Sequence, residues 1–77
     1  MKNVLEMIIS NLVDNKNDIS IEENVNNKIV DFKVKVSSDD MGKVIGRQGR
    51  VAKSIRTVMK SVAGKDGKKV NVEFVEE

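Results

Sequence analysis

The chain has no Cys, His, Pro, Trp or Tyr, and only two Phe among its 77 residues. Without Cys there is no disulfide framework and no thiolate metal site. Without Cys and His together, zinc fingers, Cys/His nucleophile pairs and Ser-His-Asp triads are excluded. No apolar run approaches the ~18 residues of a membrane span. The stretch over residues 1–15 carries Glu6 inside its apolar part and lacks a small-residue cleavage site. Neither a membrane association nor a signal peptide is expected, and the expected location is the cytoplasm. Hydrophobic residues make up 39% and charged residues 34% of the chain, a balance that suits one small folded domain rather than a disordered tail.

A net charge of +2 hides a strong asymmetry. Residues 1–40 carry a balance of −3, residues 41–69 a balance of +8 with Asp66 as their one acid, and residues 70–77 a balance of −3. Basic charge confined to one central segment points to a polyanionic partner.

The hydrophobic pattern yields six elements. Val4, Leu5, Ile8, Ile9, Leu12 and Val13 form one stripe of a helix over residues 2–14, which the turn formers after it should end. Ile19, Ile21, Glu23 and Val25 start a weaker alternation, a first strand, with Asn26-Asn27 as the hairpin turn. Val30, Phe32, Val34 and Val36 alternate with Asp31, Lys33 and Lys35, which predicts a half-buried strand with the two lysines exposed. Ser37, Ser38 and Asp39 supply helix-start chemistry for a short helix over residues 40–45. A basic helix follows over residues 50–63, with Val51, Ile55, Val58, Met59 and Val62 on one side and Arg50, Lys53, Arg56 and Lys60 on the other. Gly64 is its expected C-cap and Asp66-Gly67 a turn. Val70, Val72 and Phe74 make a third strand, with Glu73 outward. The order is α-β-β-α-α-β. A two-helix crossover normally joins parallel strands, so the expected architecture is α+β: a three-stranded mixed sheet with three helices on one face.

Between the two later helices lies Gly46-Arg47-Gln48-Gly49. Two glycines three apart let the chain reverse sharply and leave no Cβ over the loop, so a sugar-phosphate backbone can approach the main chain. The dipole of the following helix favours anions there. Lys43, Arg47, Arg50 and Lys53 add charge and phosphate-compatible donors. Phe32 and Phe74 are in phase with the valines of their strands and read as core. Bases would then rest on an aliphatic groove with Ile45 and Ile55 as candidate walls, unless those two are core as well.

Val44-Ile45-Gly46-Arg47-Gln48-Gly49-Arg50, between two helices and after a strand, resembles the GXXG segment of KH domains. In that family the loop clamps about four nucleotides of single-stranded nucleic acid. The extra helix and strand lie at the N-terminus, which resembles the bacterial type II arrangement, and a single KH domain accounts for residues 1–77. The resemblance implies a single-stranded RNA-binding protein of the cytoplasm, an RNA chaperone or post-transcriptional regulator. It also implies a homodimer, or a heterodimer with a larger KH-containing protein, and a link to cell elongation and envelope homeostasis. The site residues it implies are Gly46, Arg47, Gln48 and Gly49, joined by Lys43, Ile45, Arg50, Lys53 and Ile55. Nothing in the residues separates RNA from single-stranded DNA.

Other chemistries fit poorly. A P-loop needs Gly-x-x-x-x-Gly-Lys-Ser/Thr, and Arg47 follows Gly46 where that Lys should stand. The acid pairs Glu22-Glu23, Asp39-Asp40 and Glu76-Glu77 are sequence neighbours, and in a strand neighbours point to opposite faces. Capping and solubility are their expected roles. No enzyme activity, metal or cofactor is expected. The alternative function is a protein-interaction module in which the fold serves mainly for dimerisation.

Overall fold

The computed structural model describes residues 1–76. Helix α1 (Lys2–Leu12) is followed by a short 3-10 turn, strands β1 (Ser20–Asn26) and β2 (Ile29–Val36), helix α2 (Met41–Ile45), a second 3-10 turn, helix α3 (Arg50–Lys65) and strand β3 (Lys69–Glu76). The strand order is β1-β2-β3, with β1 and β2 antiparallel and β2 and β3 parallel. This is the mixed α+β sheet that the alternation and the long crossover predict.

The sheet is buried on one side because its residues alternate cleanly. Val30, Phe32, Val34 and Val36 of β2 and Val70 and Val72 of β3 face the helices. Leu5 and Ile9 of α1, Val44 of α2 and Ile55 and Met59 of α3 close over them. Phe32, 1% exposed, is the largest of the fully buried side chains. The opposite face carries Asp31, Lys33, Asn71 and Glu73 to solvent. Lys35 departs from the expected pattern and is half-buried. It sits in the central strand between Ser20 and Val75, and its ammonium lies 4.0 Å from Glu22.

Several element ends move by a residue or two. The hairpin turn falls on Asn27-Lys28, because Asn26 pairs with Ile29 and Asn27 takes the positive φ of 57°. Helix α1 ends at Leu12, after which Val13 turns extended and buries itself. Helix α3 continues through Gly64 to Lys65. The left-handed residue that stops it is Gly67, with Lys68 N–H donating to the Ala63 carbonyl at 2.9 Å and Gly67 N–H to Gly64 at 3.1 Å. These two bonds are the Schellman pair, so the glycine needed at the helix end is three residues later than expected.

The buried stripe of α3 is also turned from the expected one. Ala52, Ile55, Met59 and Ala63 are buried, while Val58 is 44% exposed. Small Ala side chains weigh little in a hydrophobic pattern, yet they are what lets a helix come close to a sheet. Among the described residues, no helix is long and apolar enough to cross a membrane.

Candidate nucleic-acid interface

The loop between α2 and α3 is built from unusual torsions. Gly46 has φ 76° and ψ 176°, Gln48 has φ 57° and ψ 26°, and Gly49 has φ 74° and ψ 14°. Three of four consecutive residues thus have positive φ, which only glycine adopts freely. The two glycines matter for different reasons. A Cβ on Gly46 would lie 2.8 Å from Val51 Cβ and 2.9 Å from Val51 N, so the first turn of α3 packs directly on this residue. A Cβ on Gly49 would meet nothing within 4 Å, so the space above it is open. Arg47 and Gln48 between them are exposed, and so are Arg50 and Lys53 on the first turn of α3.

Gly49 is the residue that starts α3, and the helix has no side-chain cap and no acidic residue in its first turn. The Arg50 N–H donates to the Arg47 carbonyl, but among the described residues no side chain caps the start of the helix and no acid in its first turn offsets the dipole. Ser54 and Thr57 turn their hydroxyls back to the carbonyls of Arg50 and Lys53, both at 3.0 Å. The outward face of α3 is left to cations.

Two expected members of the site stand elsewhere. Ile55 is only 3% exposed and belongs to the core, while Ile45, next to Gly46, is half-buried. Lys43 is paired within the chain. Its ammonium donates to the carboxylates of Asp14 and of Asp40, the latter at 3.3 Å. Its pKa is raised, first by the bond to Asp14 and also by Asp40, against a smaller opposing effect of desolvation.

Asp40 is the residue that pattern reading missed. It is the buried charge of the core, 1% exposed, and not a solvated acid. Its carboxylate accepts from Asn15 N–H at 2.9 Å, from Asn15 Nδ2 at 3.0 Å and from Asp14 N–H at 3.3 Å, besides Lys43. These bonds tie the turn after α1 to the start of α2, and so set the direction in which α2 delivers the glycine loop. The backbone N–H of Asn15 is the main cause that holds the Asp40 carboxyl below its ordinary range, against some desolvation. Neither Ser37, Ser38 nor Asp39 caps α2, which has no side-chain cap bond. One sequence signal was available: an Asp directly before a helix and three residues from a Lys, opposite a polar Asp14-Asn15 turn.

On the other flank of α3 lies an apolar groove of about 360 Å³, lined by Ile8 and Leu12 of α1 and by Val51, Ile55 and Val58 of α3. It is separate from the exposed cations of the loop, apart from Arg50 at its rim.

Comparison with known proteins agrees with this geometry. The family model described as the KH domain of KhpA and KhpB matches residues 2–74. The RNA-binding protein KhpA of Clostridium perfringens is 48% identical over 75 residues, covering 97% of this chain and 100% of the relative. That of Clostridium acetobutylicum is 45% identical with the same coverage, and that of Listeria monocytogenes is 40% identical over 76 residues, covering 99% of this chain and 100% of the relative. A matched family model over nearly the whole chain, full-length relatives at this identity and a glycine loop set between two helices on a mixed sheet together place the chain in the KhpA/KhpB KH-domain family.

Proposed function

We propose that this protein binds single-stranded RNA and clamps its backbone at Gly46-Arg47-Gln48-Gly49. The observation that carries the reading is an exposed, positive-φ loop opening onto the uncapped, acid-free start of a basic helix. Phosphates would meet the N–H groups of that start, with Arg47, Arg50 and Lys53 around them. Ile45 borders the loop as an aliphatic contact. Lys43 contributes by holding Asp14 and Asp40, which positions α2. Single-stranded RNA fits better than duplex, since bases must be unstacked to lie beside such a loop. Relatives of this chain are named RNA-binding proteins, which favours RNA over single-stranded DNA. The setting we propose is the cytoplasm, with a chaperone or post-transcriptional role, and the resemblance extends that reading to cell elongation and envelope homeostasis.

The test is Arg47→Asp with Gln48→Asp. Both side chains are exposed, and Asp tolerates the left-handed torsion of position 48 better than most residues. The melting temperature should hold while affinity for labelled single-stranded RNA disappears. Unchanged affinity would remove the loop assignment.

A second reading, a pairing module, is favoured by one observation, the apolar α1/α3 groove with Val58 exposed beside it. We propose that a second KH-bearing chain, a copy of this one or a larger protein of the KhpB kind, covers that groove. One short RNA site gains most from a second linked site, so pairing and RNA binding support each other. A Val58→Lys variant should shift the sedimentation mass to that of a monomer. If mass is unchanged, the groove is not the pairing surface.

A further inference from the structure

We infer that Arg56 is the stacking platform for an RNA base, standing in for the aromatic residue that the interface lacks. The inference rests on the RNA-binding reading above and adds a residue that pattern reading left among the general surface cations.

Bases dock on a flat π surface or on a guanidinium plane. The chain has no Trp or Tyr, Phe32 is 1% exposed, and Phe74 is half-buried. No aromatic face is therefore freely offered among the described residues. Arg56 is one of three exposed arginines of this region, with Arg47 and Arg50, that carry such a planar, delocalised group, and among them it is the one held over an aromatic ring. It lies on α3 seven residues beyond Gly49, about 10 Å along the helix axis from the loop.

A surface arginine is usually mobile, and a mobile plane is a poor platform. Arg56 is held at two points. Its Nε–H donates to the Val72 carbonyl at 3.1 Å, across from helix to strand. Its Cζ lies over the Phe74 ring, 5.4 Å from the centroid, within cation–π range. Phe74 thus lies against the guanidinium, while Arg56 as a whole stays exposed. β3 is an edge strand, and Lys69 N–H donates inward to Lys28, so alternation turns the backbone of Val70, Val72 and Phe74 outward. Arg56 therefore sits where α3 and the free edge of β3 border the same open surface. A cation of the edge-protecting type needs only charge. Docking onto an aromatic ring with the Nε committed to a carbonyl needs the plane, which Lys lacks.

The experiment titrates the full chain, as wild type, Arg56→Lys and Phe74→Leu, with a short labelled single-stranded RNA of mixed sequence. The same RNA is then made abasic at each position in turn. One abasic position should weaken the wild type about tenfold, in the range of one stacked base. Arg56→Lys should weaken the intact RNA by the same factor, lose the penalty at that one position, and leave the salt slope unchanged. Phe74→Leu keeps the bond to Val72 and should show the same pattern in weaker form. If Arg56→Lys binds the intact RNA as the wild type does, the inference is overturned. It is also overturned if the abasic penalties are unaltered in Arg56→Lys, the mark of a contact that needs only the charge that Lys keeps. Should Arg56→Lys not fold, an undiminished abasic penalty in Phe74→Leu overturns it instead. A wild type that binds no RNA refutes the RNA-binding reading and this inference with it, whereas a loop double variant that binds undiminished removes the loop assignment alone. A wild type that binds RNA while Arg56→Lys matches it at every position refutes this inference alone.

Discussion

Gly46 and Gly49 look equivalent in the sequence, and replacing each with Ala should separate them. At Gly46 two costs add. Its φ of 76° and ψ of 176° lie in a region nearly reserved for glycine, worth about 1–3 kcal/mol for another residue. The new methyl would also lie 2.8 Å from Val51 Cβ and 2.9 Å from Val51 N. A side-chain tip could rotate away, but a backbone nitrogen cannot, so the start of α3 must shift, at roughly 1–3 kcal/mol for overpacking. The sum is about 4 kcal/mol. At Gly49 the torsions are ordinary left-handed ones, costing about 1–2 kcal/mol, and the methyl enters open space. Reduced freedom of the unfolded chain returns about 0.4–1 kcal/mol of that. A domain of this size has a total stability of about 4–12 kcal/mol, and each kcal/mol moves its melting temperature by about 4–8 °C. Gly49→Ala should therefore melt a few degrees lower, and Gly46→Ala about 16 °C lower or more. Thermal and urea unfolding of both variants checks this. Adding Val51→Ala to Gly46→Ala removes the Val51 methyls but leaves its Cβ and N, so it should restore little. Equal melting shifts, or full recovery in the double variant, would refute the reasoning. Gly49→Ala, folded but with a methyl over the loop, should bind single-stranded RNA more weakly than the wild type.

Further outcomes follow from the same geometry. The Asp40 carboxyl is held below its ordinary 3.8, so its contribution to stability is complete above about that pH and is lost as the pH falls through the lower folded-state value; melting against pH should show an acid limb that Asp40→Asn flattens. Lys43 is raised above 10.5, so its contribution is complete below that pH and is lost as the pH rises through the higher folded-state value, a limb that Lys43→Met should remove. If Arg47, Arg50 and Lys53 each meet a phosphate, log affinity for single-stranded RNA should fall against log salt with a slope near −2, about −0.7 per contact, and a flat response would count against phosphate binding. Phe32→Ala empties the centre of the core and should cost about 3–5 kcal/mol in urea unfolding, whereas Lys33→Ala on the open face should change little.

The elements and the loop were legible because their causes are local. Val30, Phe32, Val34 and Val36 declare a one-sided strand by period alone, and the distance from there to Val70 leaves room only for the two helices of a crossover. Gly46 and Gly49 advertise a turn with positive φ, since few other residues accept it. The departures have causes at longer range. The end of α3 waits for the glycine that can make both Schellman bonds, which is Gly67 and not Gly64. Asp40 reads as a solvated acid until the fold lays the turn at Asp14-Asn15 beside it, 25 and 26 residues away in the chain. Lys43 reads as a free cation until the same turn brings Asp14 to its ammonium. Arg56 and Ile55 lie one step apart on one helix, yet packing makes the first a held surface group over Phe74 and the second a core residue. Periodicity and torsional preference act over a few residues and are written into the order of the chain. Hydrogen bonds and ion pairs between distant segments arise only when topology closes the distance, so the choice of which charges stay free at the surface and which hold the domain together belongs to the tertiary structure.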